Sequence, residues 1–184
     1  KTVTTADGTT TYAYGKNGNR KSLELANNAL TTYEYDARNV LTKLVNQVGS
    51  ILDNYEYEYD ENSLQVSKIE PKGKTSFEYD NLGRIESVTE PGGRTTTYIY
   101  DGAGNRETQT VEDLINEISS QLTYNYDDSN RLTDILEVRN GQNITTVYAY
   151  DGNGNQTKVT VTEPGDVIRS EERRVGKECI SRWW

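Results

Sequence analysis

Tyr98-Ile99-Tyr100-Asp101-Gly102-Ala103-Gly104-Asn105-Arg106 is the stretch whose reading decides the fold. Two aromatic residues, separated by one residue, run into an Asp, and a Gly follows three positions after it. The phrase returns as Phe77-Glu78-Tyr79-Asp80 with Gly83, Tyr33-Glu34-Tyr35-Asp36 with Asn39, Tyr124-Asn125-Tyr126-Asp127 with Asn130, and Tyr148-Ala149-Tyr150-Asp151 with Gly154. Two looser copies complete the set. Tyr57-Glu58-Tyr59-Asp60 carries Ser63 at the turn position, and Tyr12-Ala13-Tyr14 is followed by Gly15 in place of Asp, then Gly18. The second aromatic falls at positions 14, 35, 59, 79, 100, 126 and 150, so successive copies lie 20 to 26 residues apart. A recurrence in the twenties is the mark of a repeat architecture. Thirteen of the fourteen tyrosines, and the only Phe, sit inside these copies.

The physics of the phrase is that of a β-hairpin. Residues i and i+2 of a strand point to one side, so each aromatic pair shares a face. The residues between them (Ala13, Glu34, Glu58, Glu78, Asn125 and Ala149) are polar or small, with Ile99 the exception. One wet face and one face of rings is expected. Asp at the first position and Gly at the fourth suit a type I turn, and a residue tolerant of positive φ then returns the chain. Apolar pairs three apart follow the turns: Leu41 with Leu44, Val66 with Ile69, Ile85 with Val88, and Leu132 with Ile135. A bulge that flips the pleat once accounts for that spacing better than a helix, because Pro71, Pro91 and Asn140-Gly141 cut these segments short.

The connections carry their own turn chemistry. Asp7-Gly8, Glu70-Pro71-Lys72-Gly73, Glu90-Pro91-Gly92-Gly93 and Asn140-Gly141 each read as reversals. Val111 to Leu122 is ambiguous, since Val111, Leu114, Ile115, Ile118 and Leu122 also fall on a helical stripe. A lengthened hairpin is the favoured reading there, because neighbouring repeats demand strands on both sides.

Arg169 to Trp184 changes composition abruptly: it holds the only Cys and both Trp. The segment resembles the translation of a sequencing adapter, from which Ile180 and Trp184 depart, and it is set apart as a non-native tail. The expected layout is a repeat region over residues 1–168, with about seven hairpin repeats and roughly fourteen strands, and the tail over 169–184. The body then has 15 basic and 26 acidic residues. Such a field repels nucleic acid and anionic lipid, so no nucleic-acid partner is expected. No apolar run is long enough to span a bilayer, and no membrane insertion is expected. Leu, Ile, Val and Phe make up 36 of the 184 residues, just under the fifth below which a charged chain is suspected of disorder. The periodic tyrosines argue for order, because each ring buries about 150–250 Å². The chain has no Met, from which an internal piece of a longer protein is expected. Open sheet edges at both ends predict self-association.

With the repeats laid out, the chain resembles the Tyr-Asp (YD) or Rhs repeat family. The residues that carry the likeness are Tyr98 to Arg106, Tyr79-Asp80-Asn81-Leu82-Gly83-Arg84-Ile85, and Glu90-Pro91-Gly92-Gly93-Arg94-Thr95, and it extends over about residues 7 to 165. The family includes bacterial wall-associated and polymorphic-toxin proteins, cocoon subunits of insecticidal toxin complexes, and the animal teneurins. What it implies is an all-β fold of tandem β-hairpin repeats in a curved, spiralling antiparallel sheet, part of a secreted or cell-surface shell or scaffold. The implied partners are the remaining repeats and the C-terminal toxin or effector domain of the parent. Seven copies are too few to close such a shell, and the self-cleaving aspartates of toxin members are not recognisable, so no catalytic residue is transferred.

Site candidates are therefore structural. Nearly every repeat Asp has a local task in its turn, and no positioned base, nucleophile or phosphate loop accompanies it, so catalysis is not expected. Asp151-Gly152-Asn153-Gly154-Asn155 fits the start of a calcium loop, but Gln156 and Thr162 occupy positions where Gly and Glu belong. Without His, zinc of the usual kind is not expected either, and no cofactor is assigned. The tyrosines serve cross-strand packing. If exposed, they would offer a platform for glycans, the alternative function.

Overall fold

The computed structural model describes residues 1–6, 8–165 and 167–172. Its sixteen elements are all β-strands. The chain forms two compact units, one over Lys1–Gly93 and one from Arg94 onward. In the first unit the strands are β1 (Thr2–Thr5), β2 (Gly8–Tyr14), β3 (Arg20–Glu24), β4 (Leu30–Tyr35), β5 (Leu41–Val48), β6 (Ser50–Tyr59), β7 (Gln65–Glu70), β8 (Gly73–Tyr79) and β9 (Ile85–Thr89). In the second they are β10 (Thr95–Tyr100), β11 (Arg106–Asp113), β12 (Ile118–Tyr126), β13 (Leu132–Arg139), β14 (Gln142–Tyr150), β15 (Gln156–Glu163) and β16 (Val167–Glu172). Within each unit every strand pairs antiparallel with the next in the chain.

The seven phrases end the outgoing strands β2, β4, β6, β8, β10, β12 and β14. Sixteen strands rather than fourteen arise because β1 precedes the first phrase and β16 follows the last return strand. β16 crosses the boundary expected at residue 168, so Arg169–Glu172 pair with β15. The rest of the tail, like Asp7 of the Asp7-Gly8 reversal, lies outside the described residues.

All seven hairpins share one irregularity just after the turn. Tyr100 faces Arg106 but Ile99 faces Thr108, so Glu107 is an extra residue. The same slip leaves Lys21, Thr42, Val66, Glu86, Thr133 and Thr157 extra in the other six. This is the expected bulge, and it sets the three-residue spacing of the apolar pairs. Leu41 and Leu44 stand opposite Tyr35 and Tyr33, Ile85 and Val88 opposite Tyr79 and Phe77, and Leu132 and Ile135 opposite Tyr126 and Tyr124. Val66 and Ile69 do not follow suit. There Gln65 and Lys68 face Tyr59 and Tyr57, so Ile69 lies on the opposite face, across from Glu56.

Val111 to Leu122 is a hairpin, with β11 and β12 pairing from Thr108–Thr123 to Asp113–Ile118. Its stem holds Val111, 5% exposed, which is the buried hydrophobic residue among those described; Ser67 and Ser120 are the buried polar ones. A single layer of strands has no second layer to close against. Most apolar side chains are accordingly half-buried.

Candidate functional site

Each phrase builds the same turn from the same atoms. In the Asp101 copy the main-chain N–H of Gly104 donates to the carbonyl of Asp101 at 3.1 Å, and the N–H of Asp101 donates to the carbonyl of Asn105 at 2.8 Å. Equivalent pairs close the turns at Gly15, Asp36, Asp60, Asp80, Asp127 and Asp151. The residue after the type I turn takes positive φ in all seven copies: Gly18 82°, Asn39 65°, Ser63 65°, Gly83 75°, Gly104 89°, Asn130 57° and Gly154 84°. Glycine and Asn enter this region readily, whereas Ser63 holds it at some conformational cost.

The Asp side chain completes the closure. Asp101 Oδ1 accepts from the N–H groups of Ala103 and Asn105 at 2.9 and 2.8 Å. Asp36, Asp80, Asp127 and Asp151 each accept from the N–H groups two and four residues on. For Asp60 the corresponding bond comes from Leu64 N–H at 2.8 Å. The second carboxylate oxygen binds Arg38, Arg84 or Arg131 through Nε, or Asn105 or Asn155 through Nδ2. These bonds favour the ionised form. The N–H groups of Val40, Arg84 and Arg131 are the main reason that Asp36, Asp80 and Asp127 sit below the usual carboxylate range. For Asp101 and Asp151 the main reason is the Asn105 or Asn155 side chain. Asp151 therefore spends both oxygens inside its own turn. Among the described residues there is no cluster of three metal-ligating side chains.

The rings lie together as the alternation requires. In every copy the residue between the aromatics is exposed, and the aromatics themselves are half-buried, Tyr14 excepted. The ring pairs at Tyr33, Phe77 and Tyr124 thus share a face with the apolar residues opposite them, while Glu34 and Glu78 face the other way. Arg131 lies 5.0 Å from the Tyr150 ring centre, and two further arginines each reach two rings. Arg20 lies 5.4 Å from the Tyr12 ring centre and 5.8 Å from that of Tyr33. Arg106 lies 4.5 Å from Tyr98 and 5.9 Å from Tyr124. Such stacking offsets the poorer apolar packing at a position occupied elsewhere by Leu41, Ile85 or Leu132.

Bonds between repeats were not foreseen from the sequence. Tyr59 Oη donates to the carbonyl of Leu41 at 2.9 Å, Tyr79 to Gln65 at 2.8 Å, Tyr126 to Arg106 at 2.9 Å, and Tyr150 to Leu132 at 2.8 Å. Each acceptor opens a return strand, two residues before the ladder to the next hairpin begins at Lys43, Ser67, Thr108 or Asp134. The hydroxyl thus satisfies a main-chain carbonyl at the point where that ladder has not yet begun. Turn also meets turn. Asn19 Nδ2 donates to Asn39 Oδ1 at 2.9 Å, Arg38 Nη1 to the carbonyl of Asp60 at 2.8 Å, and Asn105 Nδ2 to Asn130 Oδ1 at 3.2 Å. The column four residues after the Asp reads Arg84, Asn105, Arg131 and Asn155 in four copies; that recurrence signals the bond back to the second Asp oxygen, and at Asn105 it coincides with a bond to the next turn.

Fold and turn chemistry together define a tandem-hairpin structural repeat, in which the repeated side chains bind their own and the neighbouring repeat. A profile of the teneurin YD-shell family matches residues 1–117, and the chain belongs to that family. It is 34% identical to chicken (Gallus gallus) teneurin-1 over 97 residues, which is 52% of this chain and 3% of that protein. Among solved structures, it superposes on the TcdB2-TccC3-Cdc42 crystal structure with a TM-score of 0.77 at 15% identity, covering 89% of this chain and 10% of that one. TcdB2-TccC3 gives 0.76 at 16% identity over the same shares. These likenesses show the fold, and the chain spans a small fraction of each relative. The last two phrases, ending at Asp127 and Asp151, lie beyond the profile match yet close by the same bonds.

Proposed function

We propose that this chain is a non-enzymatic segment of the shell or scaffold of a large secreted or cell-surface bacterial YD-repeat protein, one that encloses or presents a C-terminal toxin or effector domain. Residues 1–168 are its repeat region, and 169–184 are foreign to it. The observation that carries the reading is the engagement of the repeat side chains: five Asp carboxylates hold two turn N–H groups each, and tyrosine hydroxyls tie one hairpin to the next. A general acid needs a carboxyl held neutral near working pH, whereas five of these are held ionised. Its partners are the remaining repeats and the C-terminal domain. In the complete parent protein, the downstream domain is expected to resist protease while the repeats are folded and to be cut rapidly once they are unfolded. Equal cleavage in both states would overturn the enclosure. Turnover abolished by replacing one or two of the repeat Asp residues would overturn the non-enzymatic reading.

The part of the rings left open to water supports a second reading, a glycan-binding adhesion module, since an aromatic face suits the apolar face of a sugar. Glycan-array binding that disappears on Tyr98→Ala with the fold retained would establish it in place of the first.

A further inference from the structure

The tip joining β11 to β12 is built differently from the other links. Leu114 is 85% exposed, Ile115 71% and Ile118 42%, three aliphatic side chains in water on one reversal. The tip is held firmly. Asp113 Oδ1 accepts from the N–H groups of Ile115 and Asn116 at 3.1 and 3.0 Å, and its Oδ2 accepts from Asn116 Nδ2 at 2.7 Å. Glu117 closes the turn at a φ of 52°. At the base, Ser119 N–H donates to Asn140 Oδ1 at 3.2 Å, and Asn140 N–H donates to the Ser119 carbonyl at 3.0 Å. Beneath it Val111 and Ser120 face one another, buried.

A stiff turn that displays aliphatic residues gains nothing for this chain's own folding, because those side chains stay in water. Covering them by a partner recovers the hydrophobic contribution. The chemistry of the rim decides which partner. Glu112 and Glu117 are exposed beside the aliphatics, with Asp113 between them, in a chain of net charge −9. That field disfavours an anionic lipid surface and a second copy of the same tip, and it complements a basic rim. We propose that the β11–β12 tip is a docking prong for a protein pocket that is apolar at its floor and rimmed by Lys or Arg. The inference is independent of whether the parent encloses a toxin.

Selection of displayed random peptides on the complete chain tests it. The expected consensus has aromatic or aliphatic residues flanked by Lys or Arg. Its affinity falls about tenfold or more in Leu114→Ser/Ile115→Ser, since burying one such side chain contributes at least that factor. Melting should not change, because both side chains already lie in water. Asp113→Ala, which frees the tip and leaves the aliphatics in place, weakens binding by less. Selection without a consensus, a consensus without basic residues, or peptides that bind the double variant equally well overturns the proposal. So does binding to phosphatidylserine vesicles, or dimerisation in sedimentation, if the double substitution abolishes it.

Discussion

At the turn end of each hairpin, seven copies place a positive-φ residue three positions after the turn's first residue and slip the register by one residue just beyond. At the link end nothing is so constant. Two residues separate Arg139 from Gln142, while four separate Asp113 from Ile118. Asn140-Gly141 reverses with φ of 47° and 79°, Glu90 accepts from Gly93 N–H at 3.0 Å, and Asp113 builds its own side-chain-bonded turn. The exposed aliphatics Leu25, Val48, Leu114, Ile115 and Ile118 also gather at link ends. The difference teaches where this architecture can change. Turn ends are bonded to the neighbouring repeat, so a lengthened turn would lose its partners. Link ends bond mainly within themselves and can vary in length and display.

Four measurements break or sharpen that contrast. Tyr126→Ala removes a half-buried ring and a bond to the preceding hairpin; a loss of about 2–3 kcal/mol in denaturant unfolding is expected. If the loss is negligible, the turn end does not hold the repeats together. Gly73→Ala probes one of the places where a link end meets its neighbour. Gly73 has a φ of 130°, and an added Cβ would lie 2.9 Å from Pro91 Cβ in the next link. The expected cost is about 1–3 kcal/mol, and thermal melting equal to wild type would show that the two links can part. Tyr126→Phe keeps the ring and deletes only the hydroxyl, leaving the Arg106 carbonyl without it; about 1 kcal/mol is expected. A double-mutant comparison with Tyr150→Phe, which acts on the next hairpin, tests whether neighbouring staples couple.

The smallest effects come from pH. Asp36, Asp80, Asp101, Asp127 and Asp151 all titrate below the usual Asp value in the fold. The unfolded chain therefore binds more protons as pH falls, and the turn contribution is complete above about pH 4, where free Asp titrates. It is lost as pH falls further, through the folded values. With no His in the chain, circular dichroism melts between about pH 5 and 7 should coincide. Tyr59, Tyr79 and Tyr126 titrate above the usual Tyr value, chiefly through burial. Their contribution is complete below about pH 10 and lost as pH rises through the folded values. A melt that shifts between pH 5 and 7 would point to a titrating group outside the turns.

The sequence by itself determined the hairpin, its period, its ring face and the Asp turn, and it favoured the bulge that the strand register then established, because all of these follow from residues within a few positions of one another. It also favoured strands over a helix for Val111 to Leu122, since the stripe of Leu114, Ile115 and Ile118 had neighbours on both sides that needed edges to pair with. Only the tertiary structure decided which carbonyl each tyrosine hydroxyl meets, which arginine spans two rings, and that Ile69 leaves the ring face. Those contacts join residues up to twenty positions apart, and their partners depend on how one hairpin is staggered against the next. The burial of Val111 near an exposed Leu114 was equally hidden: both are apolar residues on one periodic stripe, but Val111 lies in the β11 stem and Leu114 in the turn that follows Asp113.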